Sequence, residues 1–449
     1  MSRVAAARPR TLGSVNTMTP ARFGAALVTT ALLMTPLSLI DAPAARAAPP
    51  KGTCRTAEPA HPVERMLPWA QQLLEPERAW PFSTGAGVTV GVVDSGVDRD
   101  HPQLRRRGKV LTGRDFYHQG KLPGSYDCVS HGTGIAGIIA ADRHAGLGFS
   151  GVAPGARILP VKVSEREADN TGRTEVIPPS ILANGIRYAV DHGARVLNLS
   201  IAGSRDDKPV RDAIAYAVRR DVVVVAAAGN QQANSAGPLR SYPADYPGVI
   251  GVGAIDVNGA RMDASQIGRY VDLVAPGDSV LTSTRIAGHA YQSGTSFAAG
   301  YVSGTAALVR SAWPTMPAAE VIKRLLATAT PARGGANSQE YGAGIVDPYR
   351  AVTEAMPKGA AQPMPGAVVP PVDPLQVAHS AWWQGQSSTA RDLTLLATAV
   401  ALIVLLVSVL LTVGRRRGWV VRRSAIERGV PRQAELPPEF LFARRDSDT

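Results

Sequence analysis

Residues 88–98 read VTVGVVDSGVD. Val88, Val90, Val92 and Val93 make an apolar run with no polar alternation, and the chain then turns polar at Asp94 and reaches Gly96. A strand with one face in water alternates. A continuous β-branched run belongs to a strand buried on both faces, as in a parallel sheet covered by helices. Sheets of that kind carry their functional groups at the carboxyl ends of strands, which is where Asp94 falls. Similar runs recur at 158–163, 196–201, 222–226 and 249–252, with helical patterns at 181–190, 209–219, 296–312 and 317–328. Strands alternating with helices predict an α/β domain over residues 86–356, a parallel sheet with helices on both faces. No internal repeat interrupts it.

The flanks have a different character. The chain has 449 residues, 45% apolar and 19% charged, enough to bury two or three domains and too apolar for wholesale disorder. Its net charge of +12 is uneven: residues 1–47 carry five Arg against one Asp, and residues 414–449 carry nine Arg against five acids. Basicity confined to short ends points to targeting and topology rather than to a nucleic-acid partner, and none is expected. At the N-terminus Arg3, Arg8, Arg10 and Arg22 precede an apolar run over 24–40, then Ala45-Arg46-Ala47. That is the grammar of a cleaved signal peptide, residues 1–47. A retained anchor is the alternative, against which stand Pro36 and the shortness of the run. Residues 393–413 are uncharged and apolar, and as a helix they would span about 31 Å, the thickness of a bilayer's hydrocarbon core. Arg415, Arg416 and Arg417 follow at once, which by the positive-inside rule makes 414–449 a cytoplasmic tail and puts the α/β domain outside. Trp382 and Trp383 precede the span, and six prolines from 357 to 374 predict a semi-rigid extended spacer over 357–381, within a linker over 357–392. Residues 48–85 form an N-terminal extension with a short helical patch at 69–74.

Cys54 and Cys128 are the only cysteines. In an exported chain two cysteines suggest one disulfide, worth roughly 4 kcal/mol on the chain-entropy account for a loop of this length; two buried thiols are the alternative. Without clustered histidines they do not suggest a metal. No compact run of carboxylates has calcium-ligand spacing either, and Asp98, Asp100 and Asp115 read as scattered surface charges. No metal and no cofactor are expected.

Three residues carry chemistry. Asp94 ends a strand. His131 opens HGTGIAGIIA, whose small residues suit a helix packed closely on the sheet. Ser296 stands in GTSFAAGYVSGTAALV, at the start of a long apolar helix whose free N–H groups and dipole favour a developing oxyanion. Each alone admits a plainer reading: a turn aspartate, a core histidine, an N-cap serine. Together they supply an orienting carboxylate, a base and a nucleophile, in the chain order Asp, His, Ser found in subtilisin.

These segments resemble the subtilisin-like serine peptidases over roughly residues 80–355. The resemblance runs through DSGVDRDHPQL at Asp94, HGTGIAGIIA at His131, GVAPGARILPVKV at 151–163 and VVVVAAAGN at 222–230. It continues through YPADYPGVIGVGA at 242–254, APG at 275–277, GTSFAAGYVSGTAALV at Ser296 and YGAGIVDPYRA at 341–351. It implies a seven-stranded parallel sheet, Ser296 as nucleophile, His131 as base, Asp94 as its orienting partner and Asn230 as oxyanion donor beside the Ser296 N–H. It implies too that NLSIAG at 198–203, with Ser200, Ala202 and Gly203, pairs with an extended polypeptide substrate. A glycine is common in the family where Ala202 stands, so a pocket for small or slender side chains is expected.

The layout of leader, cysteine-bearing extension, Pro-rich linker, single span and basic tail is similar to that of the mycosins, membrane-anchored proteases of actinobacterial type VII secretion systems. That resemblance implies processing of exported proteins and contact with membrane components of the secretion system. A structural role in the membrane complex, with proteolysis dispensable, is the alternative. The extension is short for a removable inhibitory domain and is expected to be a permanent belt, tied by Cys54 to Cys128 near His131. The segments 114–130 and 164–180 read as surface loops available to partners or merely solvated.

Overall fold

The computed structural model describes residues 50, 53–54, 57–118, 122–165, 176–235, 237–335, 338–356 and 374–416. It comprises two units, Met1–Gly366 and Ala367–Thr449. In the first, seven strands form one sheet: β1 (Thr89–Asp94), β2 (Arg114–Asp115), β3 (Arg157–Lys162), β4 (Val196–Leu199), β5 (Val223–Ala227), β6 (Val249–Ile255) and β7 (Leu273–Pro276). Their order is β2-β3-β1-β4-β5-β6-β7, and every pairing is parallel. From β1 the chain runs to the edge strand β2, returns to β3 between the two, then crosses to β4 and builds the other side outward. The switch point therefore lies between β1 and β4, where open α/β sheets hold their ligands.

Every residue of β1 is buried, as its unbroken valine run requires. Val90 and Val92 join the core under α2 (His131–Ala140) and α5 (Thr295–Ala312), while Val93 joins the core under α3 (Pro179–Asp191) and α4 (Lys208–Arg219). The period of two thus serves two apolar faces. Helix α5 runs through the interior, buried from Thr295 to Arg310. Its glycines allow this: a Cβ on Gly304 would lie 2.7 Å from Val152 Cβ, closer than carbon atoms approach. Helices α6 (Ala318–Ala327) and α7 (Pro348–Thr353) close that side.

The extension is sewn to the body. Cys54 and Cys128 form a disulfide. Glu58 N–H donates to Cys128 O (2.9 Å), His61 N–H to Ala287 O (3.1 Å) and His289 N–H to Pro62 O (2.9 Å). The Arg285 guanidinium donates to Glu58 O. All but the Cys128 contact fall on the turn and first residue of β9 in a two-stranded antiparallel hairpin, β8 (Val280–Ser283) and β9 (His289–Gln292), which hydropathy did not reveal because it is short and β9 is half exposed. Helix α1 (Trp69–Leu74) follows, where the sequence places it, with Trp69 Nε1–H donating to Ser279 O (3.0 Å).

Several expectations change. The 114–130 segment is not a surface loop: it opens with edge strand β2, and Asp115, Tyr126, Asp127 and Cys128 are buried. Asp98 and Asp115 are not surface charges either. Asp98 Oδ2 accepts the Ile286 N–H (2.7 Å), and Asp115 accepts from the N–H groups of Tyr117 and His118 and from Tyr126 Oη. A carboxylate can be buried when turn amides satisfy it, and hydropathy cannot register that. The strand expected over 196–201 stops at Leu199, whose partners are Val93 and Ala226. Much of the 164–180 segment lies outside the described residues, as do the leader, residues 357–373 of the linker and most of the basic tail.

In the second unit α8 is one helix, Pro374–Arg416. Residues 374–381 are thus helical rather than extended. The last of the six prolines sits at the first helical position, where its missing N–H costs nothing, and none follows it. Its segment Leu393–Gly414 has 22 residues, a mean hydropathy of 2.9 and no buried share, so it is long and apolar enough to cross a membrane.

Candidate active site

Asp94 is the last residue of β1, at the switch point. Helix α2 begins at His131 and packs directly on that strand end. A Cβ on Gly132 would lie 2.0 Å from Gly96 O and 3.2 Å from Asp94 Cβ, so only glycine lets the two backbones approach. The approach delivers His131 Nδ1 to Asp94 Oδ1 at 2.7 Å, between a carboxylate that is 4% exposed and an imidazole that is 18% exposed. Ser95 N–H donates to the same oxygen (2.7 Å). A neutral imidazole held this way carries its proton on Nδ1 and leaves Nε2 basic. Ser130, just before the histidine, has φ 65°, a left-handed conformation uncommon for a residue with a side chain. Its Oγ accepts the Arg285 N–H (2.8 Å), and that contact holds it there.

Ser296 is the second residue of α5 and is 8% exposed. Its neighbour Phe297 stands against the His131 ring, centroids 5.3 Å apart. The first N–H groups of a helix have no partner within the helix, and here Asn230 takes that of Thr295 and Gly294 O that of Phe297, which leaves the Ser296 N–H as the donor this turn can offer an anion. Two polar groups seat the helix. Asn198, fully buried in β4, accepts from Ser303 Oγ (3.0 Å) and donates to Ser200 Oγ (2.8 Å). Asn230 lies just beyond β5 and uses its carbonyl oxygen for Thr295, accepting from the backbone N–H (2.9 Å) and from Oγ1 (3.0 Å). With the oxygen occupied, the amide Nδ2 is the end left to meet a substrate, on a side chain that is itself exposed.

Ser200 is half-buried, and Ala202 and Gly203 are exposed just past β4. Gly203 exchanges both backbone hydrogen bonds with Tyr242 (2.8 and 2.7 Å). The Ala202 methyl would come within 3.2 Å of a Cβ on Gly229, so it crowds the backbone immediately before Asn230. Among the described residues no group of three or more His, Cys, Asp or Glu could hold a metal ion.

Sequence reading brought Asp94, His131, Ser296 and Asn230 forward and passed over Thr295 and Asn198. A signal for Asn198 existed, since it is a polar residue inside an apolar strand run. None existed for Thr295, whose role is to turn a neighbour's amide.

The Subtilase family model (Peptidase S8) matches residues 85–344. Subtilisin NAT of Bacillus subtilis subsp. natto is 36% identical over 289 residues, 64% of this chain and 72% of its own. Thermitase of Thermoactinomyces vulgaris is 36% identical over 253 residues, 56% of this chain and 85% of its own. Among solved structures, MycP1 from Mycobacterium smegmatis superposes with a TM-score of 0.56 at 31% identity, covering 70% of this chain and 92% of that one. The MycP3 protease from the type VII (ESX-3) secretion system gives 0.55 at 33%, covering 69% and 97%. A seven-stranded parallel sheet, an Asp–His pair at its switch point and a family match over more than half the length lead to one assignment: the chain belongs to the subtilase family and is a serine endopeptidase.

Proposed function

We propose that Ser296, His131 and Asp94 are the catalytic triad of a membrane-anchored endopeptidase that acts on exported polypeptides beside a type VII secretion channel. The observation that carries the triad is the 2.7 Å bond from His131 Nδ1 to Asp94, made beside the helix start that bears Ser296. His131 Nε2 takes the Ser296 hydroxyl proton as Oγ attacks the scissile carbonyl. The oxyanion accepts from the Asn230 amide and the Ser296 N–H. The C–N bond then breaks, His131 returns the proton to the leaving amine, and water, deprotonated in the same way, releases the acyl group. Asp94 holds the tautomer and balances the imidazolium.

The substrate is an extended chain lying along residues 200–202, the Gly203 N–H and C=O being taken by Tyr242, and the Ala202 methyl favours small or slender residues in the adjoining pocket. The span within Leu393–Gly414 anchors the enzyme, and the arginines after it keep the tail in the cytoplasm with the peptidase unit outside. Likeness to the MycP proteases supports the secretion context, with membrane components of that system as partners. The extension, disulfide-bonded and hydrogen-bonded to Ala287 and His289, is a permanent belt on this reading. A scaffold without chemistry is not favoured, because it would have no use for Asn230 held amide-outward.

The test is a serine-reactive fluorophosphonate probe on the full-length protein in membranes, beside Ser296→Ala. Labelling and peptide cleavage by the wild type alone are expected. A folded wild type that neither labels nor cleaves would sink the triad.

A further inference from the structure

Asp127 lies four residues before His131, and its carboxylate is buried, with 2% of the residue exposed. Nothing in the triad uses it. Oδ1 accepts from Ser95 Oγ (3.0 Å) and Val129 N–H (3.1 Å), and Oδ2 accepts from Thr133 N–H (3.0 Å) and Thr133 Oγ1 (2.7 Å). Ser95 is the residue after Asp94, and Thr133 lies two past His131. Ser95 Oγ in turn accepts the Gly132 N–H (2.9 Å), and Thr133 Oγ1 accepts the Asp98 N–H (2.9 Å). One buried anion is therefore bonded to both peptides that carry the Asp94–His131 pair. The anion is itself fixed on two sides. Arg285 Nε donates to Asp127 O (3.0 Å), and the next residue, Cys128, is held by its disulfide. A cation lies close by: buried Lys162 donates to Ser95 O (2.6 Å). Burial raises the Asp127 carboxyl above the usual carboxylate range, and the Lys162 charge and the Thr133 hydrogen bonds offset only part of that rise.

A buried carboxylate is costly, and here it is satisfied by four donors rather than by a direct ion pair. Three of those donors belong to Ser95 and Thr133, which lie one and two residues from the Asp94–His131 pair whose separation sets the imidazole's tautomer and aim. Resting on the triad reading above, we propose that Asp127 is a positioning residue: by bracing Ser95 and Thr133 it fixes the Asp94–His131 hydrogen bond, and with it the direction of Nε2 toward Ser296. Asp127 touches neither substrate nor reacting atoms, so its effect falls on turnover rather than on binding.

The experiment uses the full-length enzyme in detergent with a peptide substrate, comparing wild type, Asp127→Asn, Ser95→Ala and Ser95→Thr. An Asn amide keeps the shape but presents its own N–H groups to donors that need an acceptor. In Asp127→Asn, kcat is expected to fall about 10- to 100-fold, with KM within about twofold and an unchanged fold by circular dichroism. Ser95→Ala is expected to follow it, and Ser95→Thr, which keeps the hydroxyl, to recover most of the loss. The second readout needs no turnover: the downfield proton resonance of the hydrogen-bonded His131 Nδ1–H. It is expected to be sharp in wild type, and shifted or broadened in Asp127→Asn and Ser95→Ala. Folded variants with wild-type kcat and an unmoved resonance overturn the proposal, as does a loss of melting temperature alone. If Asp127→Asn does not fold, Ser95→Ala decides by the same two readouts. Should the wild type prove inactive, the triad fails separately, and the resonance still supports or overturns the bracing role.

Discussion

At the scale of single residues, small side chains decide the active site as much as reactive ones do. Gly132 carries no function of its own, yet its missing Cβ is what lets the His131 helix close on the Asp94 strand end. Thr295 does no chemistry, yet by occupying the Asn230 carbonyl it settles which end of that amide faces the cleft. On the proposed mechanism, Asn230→Ala removes one oxyanion donor. It is expected to cost about 10²–10³ in kcat, the range known for the oxyanion asparagine of subtilisin, with KM little changed. A steady-state comparison on one peptide checks this, and a variant within threefold of wild-type kcat would remove Asn230 from the oxyanion hole. The apolar run at 88–93 and the motifs at Asp94, His131 and Ser296 were legible as sequence because periodicity and small-residue spacing are local properties. Asp127 was not, because the donor that ties it to the Asp94 side, Ser95 Oγ, reaches it only when the end of β1 meets the start of α2.

At the scale of elements, the β8–β9 hairpin is the seat of the extension, and it is built around neutral histidines. His289 Nδ1 accepts the Glu64 N–H (3.2 Å), and its Nε2–H faces Gln103 Oε1 (2.8 Å). His101 bonds Gly288 O through Nε2 (3.2 Å), and its ring lies 6.0 Å from that of His289. Burial pushes both imidazoles down to about 4, and His144 and the mutual repulsion add to the shift at His101. The ordinary value is 6.5, so between 6.5 and 4 the unfolded chain binds more protons than the folded one. Stability from this pair is complete above 6.5 and is lost as pH falls toward 4. Asp272 works in the opposite sense: burial raises it to about 6, and protonating it below that pH favours the fold. The two are separated by comparing wild type with His289→Gln, which keeps an acceptor for Glu64. The gap in melting temperature between them is expected to shrink by on the order of 5 °C from pH 7 to pH 4. A gap independent of pH would mean that His289 does not titrate in the fold.

At the scale of the whole molecule, the peptidase unit is closed by covalent and hydrogen-bonded ties from its N-terminal side. The Cys54–Cys128 bond joins residues 74 positions apart, and the peptide it grips runs straight into Asp127, Ser130 and His131. Cys54→Ser is expected to lower the melting temperature by about 5–10 °C under oxidising conditions, and to do nothing under strong reduction, where the wild type has lost the bond as well. Equal melting of the two proteins under oxidising conditions would show that the bond does not contribute to stability.

Family motifs suggest the seven-strand count and the roles proposed for Asp94, His131, Ser296 and Asn230; by itself the sequence determined a parallel sheet covered by helices, the disulfide partners and the apolar span within Leu393–Gly414. Each of these is written in local pattern or in residue scarcity: strands by unbroken valine runs, the span by length without charge, the disulfide by there being only two cysteines. Only the tertiary structure decided which polar residues are buried and what they hold. Asp98, Asp115 and Asp127 look like surface charges in a list of residues, and Asn198 and Thr295 look like ordinary strand and helix polar groups. They become positioning elements because a buried polar group must find its hydrogen-bond partners, and here those partners are brought to it by strands and helices distant in the chain.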